Sequence, residues 1–282
     1  MIVPRVEREM INEERVEETY SDDENWYSRA EHQDTKQLME NTNKTASSSP
    51  SKLQSPPSSI VIPDTESETV SGHTTSSSFL CQYPPPPHAG GVRLTIPDYH
   101  TLNKGTFLND VIIDFFLHYL FREKLSTQLK ENIFIFSSYF FKRLSTEPKE
   151  GTTMGIVERD AKLSLAQKRH QRVKNWTKTT KLSQQQLVIF PICNNSHWFL
   201  VIAVMTSNKS FLVVMDSLEG DRKEEVDMVN EYLVMQLDKE QGDNSYEEFR
   251  KMEVVQPCLP QQDNCTDCGL YLLHYVEKMF ER

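Results

Sequence analysis

A thiol, an imidazole, a carboxylate and a carboxamide occur along this chain in an order that suits acyl-bond hydrolysis. Cys268 opens the apolar, helix-patterned run Cys268-Gly269-Leu270-Tyr271-Leu272-Leu273. A thiol at a helix N-terminus feels the positive end of the helix dipole, which favours the nucleophilic thiolate. Gln262 stands six residues upstream, and its amide can donate to an oxyanion beside the backbone N–H of Cys268. Gln261 competes for that role, and composition does not separate the two. Such a nucleophile needs a base. Ser196-His197-Trp198 supplies an imidazole, and Asp216 follows nineteen residues after it, suited to orient the ring and stabilise its cation.

Each residue alone has a plainer reading. Cys265-Thr266-Asp267-Cys268 is formally a C-x-x-C pair, but the βαβ context of a redox motif is missing. Cys258, Cys265, Cys268 and His274 offer only one short ligand hook, where a structural zinc site brings two; no metal is expected. A histidine at a strand start is most often a satisfied core or surface residue, and Asp216 to Gly220 reads equally as a turn. The combination in workable order is what points to a cysteine nucleophile served by a histidine.

The elements that must position these groups are legible in outline. Leu187 to Phe190, His197 to Met205 and Phe211 to Met215 are β-branched or aromatic and of strand length. Thr206 to Ser210 reads as a hairpin turn, and folding the two later strands about it sets His197 opposite a position near 216. A slip of a residue or two would change the face. Glu224 to Leu237 reads as an amphipathic helix, Met252 to Val255 as a strand, and Cys268 to Phe280 as a helix. Upstream, Val92 to Ile96 alternates like a strand, and Asn109 or Asp110 can cap a helix over Val111 to Leu120. Residues 133–144 are apolar and fit either a strand or a helix.

Charge divides the chain. Residues 1–91 carry 15 Asp and Glu against 7 Lys and Arg, and residues 92–282 carry 26 against 24. The first third also holds serine runs and Pro84 to Pro87, too little apolar surface to offset the entropy of ordering. It is read as a disordered acidic tail, with one folded domain over 92–282. No run of eighteen apolar residues suggests a membrane span, and the N-terminus lacks a secretory apolar segment. Five cysteines without framework spacing suit a reducing compartment, so disulfides are not expected. The basic run Lys168 to Lys174 is read as a solvated face, and nucleic acid is not expected as a partner.

Four blocks, in order, resemble the Ulp/sentrin-specific protease family, cysteine peptidases that remove the ubiquitin-like modifier SUMO. They are Phe107 to Phe115, Arg172 to Thr177, His197-Trp198 with Met215 to Leu218, and Pro260 to Gln262 with Asp267 to Gly269. The resemblance covers roughly 92–282, and the first two blocks look most like the branch that trims poly-SUMO chains. It implies an α+β, papain-like fold with a mixed sheet packed with helices. It implies a catalytic set of His197, Asp216 and Cys268, with Gln262 rather than Gln261 as oxyanion donor. Trp198, Phe107 and Asp110 would meet the substrate, Trp198 walling a narrow passage for the modifier's C-terminal Gly-Gly. Isopeptide cleavage through a thioester follows, with SUMO and SUMO conjugates as partners, no cofactor, a monomeric chain, and residence in the nucleus and also the cytoplasm.

Ser58 to Glu66 is similar to a SUMO-interacting motif, with Ile60, Val61 and Ile62 adding as a strand to the modifier's sheet edge. Three departures stand out. Phe107 occupies a position where many members have a second tryptophan, which implies a looser clamp. Only a short turn separates the His and Asp strands. The chain ends fourteen residues beyond Cys268, where relatives usually continue. Two other readings stay open: a protease of the same family directed at the neddylation modifier, and a catalytically silent SUMO-binding module.

Overall fold

The structure is a computed structural model that describes residues 78–281 apart from 89, 148–156, 158, 207–208 and 242–251. The Ile60-Val61-Ile62 motif and most of the expected tail lie outside the described residues. In chain order the elements are β1 (Phe79–Tyr83), β2 (Val92–Thr95), α1 (Ile96–His100), α2 (Asp110–Tyr119), α3 (Thr127–Lys130) and β3 (Ile133–Ile135). Then come α4 (Tyr139–Ser145), α5 (Leu165–Val173), β4 (Leu187–Asn194), β5 (His197–Met205), β6 (Ser210–Met215), α6 (Lys223–Gln241), β7 (Glu253–Val255) and α7 (Cys268–Phe280). Residues 133–144 thus hold both a strand and a helix.

The five-stranded sheet runs β3-β4-β5-β6-β7. Its inner pairs β4/β5 and β5/β6 are antiparallel, and its outer pairs β3/β4 and β6/β7 are parallel. The unbroken apolar runs of β4 and β5 mark strands covered on both faces. One face sets Phe190, Phe199, Val201 and Ala203 against α4 and α6, through Phe140, Val229, Tyr232 and Leu233. The other sets Trp198, Leu200 and Ile202 against α2 and α7, through Ile113, Leu117, Leu272 and Val276. The result is an α+β fold with a mixed sheet held between helical layers. Truncating Leu117, Leu200, Leu233 or Leu272 to alanine should cost about 2–5 kcal/mol.

Two expectations need correction. The folded part begins before residue 92, because Phe79–Tyr83 pairs antiparallel with β2. Cys81 and Val92 then pack on the α2/α7 core, and the Tyr83 hydroxyl donates to Glu123. The proline run joins two paired strands, a pairing no local pattern announces. The basic run is not a solvated face either. It forms α5, whose His170 and Arg172 are buried, and it packs between α4 and α6. Arg172 donates to the Leu144 carbonyl at 2.9 Å, His170 Nε2 lies 3.0 Å from Gln236 Oε1, and Arg169 pairs with Glu231 at 3.0 Å.

Candidate active site

Two hairpin strands and one helix end meet at the lower edge of the sheet. Asn194 pairs with His197 across a two-residue turn in which Asn195 and Ser196 take φ of 50° and 59°. Positive φ at both central residues matches the right-handed twist of the strands, and Asn tolerates it best after Gly. His197 therefore leaves a rigid corner as the first residue of β5. The β5/β6 ladder pairs Leu200 with Met215, so Asp216 falls opposite Phe199 rather than His197. The two functional groups are diagonal neighbours on one face, within reach of a long side chain. The imidazole crosses that diagonal, and its Nε2 stands 2.6 Å from Asp216 Oδ1.

Cys268 is the first residue of α7, buried against the sheet on the α2/α7 side. Burial alone would push its thiol up. The hydrogen bond with His197, the backbone N–H of Trp198, the imidazolium charge and the N–H of Gly269 outweigh burial, and the thiol lies below its ordinary value. Burial alone would likewise lower His197, but the bonds to Asp216 and Cys268 and their charges raise it to about 9. Asp216 is held below the usual carboxylate range, against the effect of burial, by His197, the Leu218 N–H and Arg222. Thiolate, imidazolium and carboxylate therefore favour one another in series. With Nε2 on Asp216, the ring has Nδ1 to offer the thiol.

Gln262 and Gln261, inseparable by composition, differ in the fold. Gln262 is buried, and its Oε1 accepts from the Ser217 hydroxyl at 2.6 Å while Nε2 donates to the Asn264 carbonyl at 2.7 Å. Because a carbonyl can only accept, the amide orientation is settled, and one N–H of Nε2 stays available. Gln261 is exposed and its amide is turned to the carbonyls of Asp216 and Leu259. The Tyr275 hydroxyl donates to the Pro260 carbonyl at 2.7 Å and Tyr271 to the Gln261 carbonyl at 3.2 Å. The Gln262 N–H donates to the Ser217 carbonyl at 3.0 Å, so the loop is tied to both α7 and the end of β6.

Trp198 is buried and donates Nε1 to the Leu108 carbonyl at 2.9 Å. A Cβ on Gly269 would lie 3.0 Å from Leu108 Cβ, so the residue after the thiol must be small for this loop to sit over it. Phe107, next along, is 45% exposed. Asp110 opens α2, capped by Asn109, which accepts from the Ile112 N–H at 3.0 Å. It is close enough to Cys193 to raise that thiol electrostatically, after the larger effect of burial and the nearness of Cys268. Sequence reasoning did not single out Ser217 or Arg222. Ser217 lay within a matched block, but its partner is 45 residues away. Arg222 lies in no block at all. Among the described residues no group of three His, Cys, Asp or Glu side chains could hold a metal ion, and no helix is long and apolar enough to cross a membrane.

A buried thiol, imidazole and carboxylate in series, at the end of a mixed sheet, form the arrangement of a thiol-dependent hydrolase. Comparison with known proteins narrows the class. Residues 106–282 match the Ulp1 protease family, C-terminal catalytic domain, and the chain belongs to that family. It is 31% identical to sentrin-specific protease 7 of Mus musculus over 265 residues, covering 72% of this chain and 25% of that protein. It is 43% identical to sentrin-specific protease 6 of Mus musculus over 123 residues, covering 44% of this chain and 10% of that protein. The chain thus spans about a quarter or less of the length of these relatives. The fold is also that of a crystal structure of a de-sumoylating protease, with TM-score 0.57 and 21% identity over 74% of each chain. The Ulp1 protease domain in complex with Smt3, the yeast orthologue of SUMO, superposes with TM-score 0.51 at 23% identity, over 74% of this chain and 78% of that one.

Proposed function

We propose that this chain is a SUMO-directed cysteine isopeptidase whose work includes trimming SUMO chains. The observation that carries the reading is the His197 ring, bonded to Asp216 at 2.6 Å and near enough to the Cys268 thiol that each stabilises the other's charged form. The relatives named sentrin-specific proteases support the choice of modifier, and the resemblance to the chain-trimming branch supports the role in chains.

In this reading the Cys268 thiolate attacks the carbonyl carbon of the modifier's terminal glycine. The oxyanion takes the remaining Gln262 amide N–H and the Cys268 backbone N–H. His197, already an imidazolium, gives its proton to the leaving lysine amine and a thioester remains. The neutral ring then takes a proton from water, which attacks the thioester and releases the modifier's carboxylate. Trp198, pinned to Leu108, walls the approach so that only glycine passes beside Cys268, and Phe107 closes over it as a looser clamp. Asp110 offers a carboxylate at the mouth. The protein acts as a monomer in the nucleus and the cytoplasm, with a folded domain preceded by a tail whose Ile60, Val61 and Ile62 bind a neighbouring modifier.

The test is cleavage of di-SUMO, a SUMO–peptide isopeptide, and the equivalent conjugates of ubiquitin and the neddylation modifier. The reading expects both SUMO substrates to be cut, the di-SUMO faster. Cleavage confined to the neddylation conjugate would overturn the modifier, and folded protein that binds SUMO without cutting it would overturn the enzyme.

A further inference from the structure

Asp216 has a second partner that the resemblance does not supply. Arg222 Nε donates to Asp216 Oδ2 at 2.7 Å, while Oδ1 is shared between His197 and the Leu218 N–H at 2.9 Å. Both carboxylate oxygens are therefore held, and the group cannot rotate off the imidazole without breaking a charge-assisted bond. The Arg222 guanidinium also lies over the Phe199 ring, 4.9 Å from its centroid. Phe199 is itself stacked on the His197 ring at 6.1 Å and 15°. Arg222, Asp216, His197 and Phe199 thus form a closed loop of contacts around the diagonal that the imidazole spans. The guanidinium passes over Gly220, where a Cβ would meet Nη2 at 3.1 Å and Cζ at 3.3 Å, so this glycine leaves room for it.

The same helix start grips the other side of the corner. Arg222 accepts the Val226 N–H through its carbonyl as α6 begins. One turn on, buried Glu225 accepts from Asn194 Nδ2 at 2.7 Å. Asn194 is the cross-strand partner of His197. The beginning of α6 therefore fixes both the carboxylate and the turn that place the imidazole.

We propose that Arg222 is a positioning residue for the reaction: it locks Asp216 on His197, and so sustains the thiolate–imidazolium pair, without touching substrate. This rests on the reading of Cys268, His197 and Asp216 as the catalytic set. Lysine would keep the charge but not the planar guanidinium that bonds Asp216 through Nε while its Cζ lies over the Phe199 ring.

The test compares Arg222→Ala, Arg222→Lys and Gly220→Ala with the wild-type chain in kcat and KM on a SUMO C-terminal fluorogenic amide. Alkylation of Cys268 by iodoacetamide is followed against pH by peptide mass. Displacing a positioned group by about 1 Å is enough for losses of up to about a hundredfold. Arg222→Ala is expected to lose about that in kcat with KM within about twofold, and to move the Cys268 alkylation curve to higher pH. Arg222→Lys should stay nearer to Ala than to wild type, and Gly220→Ala should show a smaller loss of the same kind. Folded Arg222→Ala with unchanged kcat and an unmoved alkylation curve overturns the proposal, as does full recovery by lysine. If Arg222→Ala does not fold, an unaltered Gly220→Ala overturns it. A wild-type chain inert to the SUMO amide would sink the substrate reading instead, and the alkylation curves would still decide the role of Arg222.

Discussion

The middle of α2 and the corner where β5 begins and β6 ends each withdraw an aspartate and a histidine from solvent, with opposite electrostatic results. On α2, burial and then the nearby Arg122 charge lower His118 to about 3, against one hydrogen bond with the backbone of Tyr83. Asp114, four residues earlier, is raised to about 7 by burial, with the Ser138 N–H at 2.8 Å as its counterweight. At neutral pH this histidine carries no charge and this carboxyl is close to losing its own. Where β5 begins and β6 ends, the same residue types give His197 at about 9 and an Asp216 held low. Desolvation opposes charge in both places. The difference is the partners: His197 and Asp216 face each other and add Cys268 and Arg222, whereas Asp114 has only neutral donors and the repulsion of Asp110. Burial silences an ionisable pair unless each member answers the other's charge.

Breaking the answering charge should have the largest effect. Asp216→Asn keeps the shape but removes the carboxylate, so His197 should fall back toward its ordinary value and the Cys268 thiol should rise. A loss of about 10²–10⁴-fold in kcat is expected, and the alkaline limb of the pH–rate profile should move down from near the His197 value of about 9. An unchanged limb in an active variant would mean that Asp216 does not set the ring's charge.

Gln262→Ala comes next. On the proposed mechanism this removes one oxyanion donor and should cost about 10²–10³-fold in kcat with KM nearly unchanged, whereas Gln261→Ala should stay within a few-fold. Reversed results would exchange the two roles.

His197 also sharpens the comparison through stability. Its folded value lies above the unfolded one, so its contribution is complete below about pH 6.5 and is lost as pH rises through about 9. Asp114 acts in the same direction over a lower pH window, through its neutral rather than its charged form. Its folded value lies above the unfolded one for an acid, so the folded state holds a proton longer and stability falls as pH rises from about 4 toward 7. Asp114→Asn cannot ionise, and its carbonyl can still accept from Ser138. Relative to wild type it should gain roughly 1–3 kcal/mol between those limits, read as Tm difference against pH. A flat difference would show that Asp114 is solvated.

The smallest effect expected is steric. Gly269→Ala should crowd Leu108, with its Cβ contact at 3.0 Å, and cost about 1–3 kcal/mol. A Tm equal to wild type would mean that the Leu108 loop yields freely.

What could be read from the chain follows from what each feature depends on. The start of α7 at Cys268 and the span of β5 are local, written in apolar pattern and length, and both elements fall where pattern places them. The pairing of His197 with Asp216 was legible as nearness through the hairpin, but its diagonal geometry was not. That offset is set by the ladder register from Leu200–Met215 onward and by the Asn195-Ser196 corner. The resemblance already favours Gln262 over Gln261, but the bond that fixes the Gln262 amide comes from Ser217, 45 residues away in sequence. Arg222 and Glu225 sit in an ordinary charged helix start, and only the fold turns them toward Asp216 and Asn194. The burial of α5 is hidden for the same reason: a basic composition does not reveal that the Leu144 carbonyl and the Gln236 carboxamide of two other helices receive it.

The most direct measurement is intact-mass labelling of the chain by SUMO carrying a C-terminal electrophile, with Cys268→Ala beside it. The account predicts one adduct on the wild-type chain and none on the variant. An adduct that survives Cys268→Ala, or a folded wild-type chain that binds SUMO and takes no label, would contradict it.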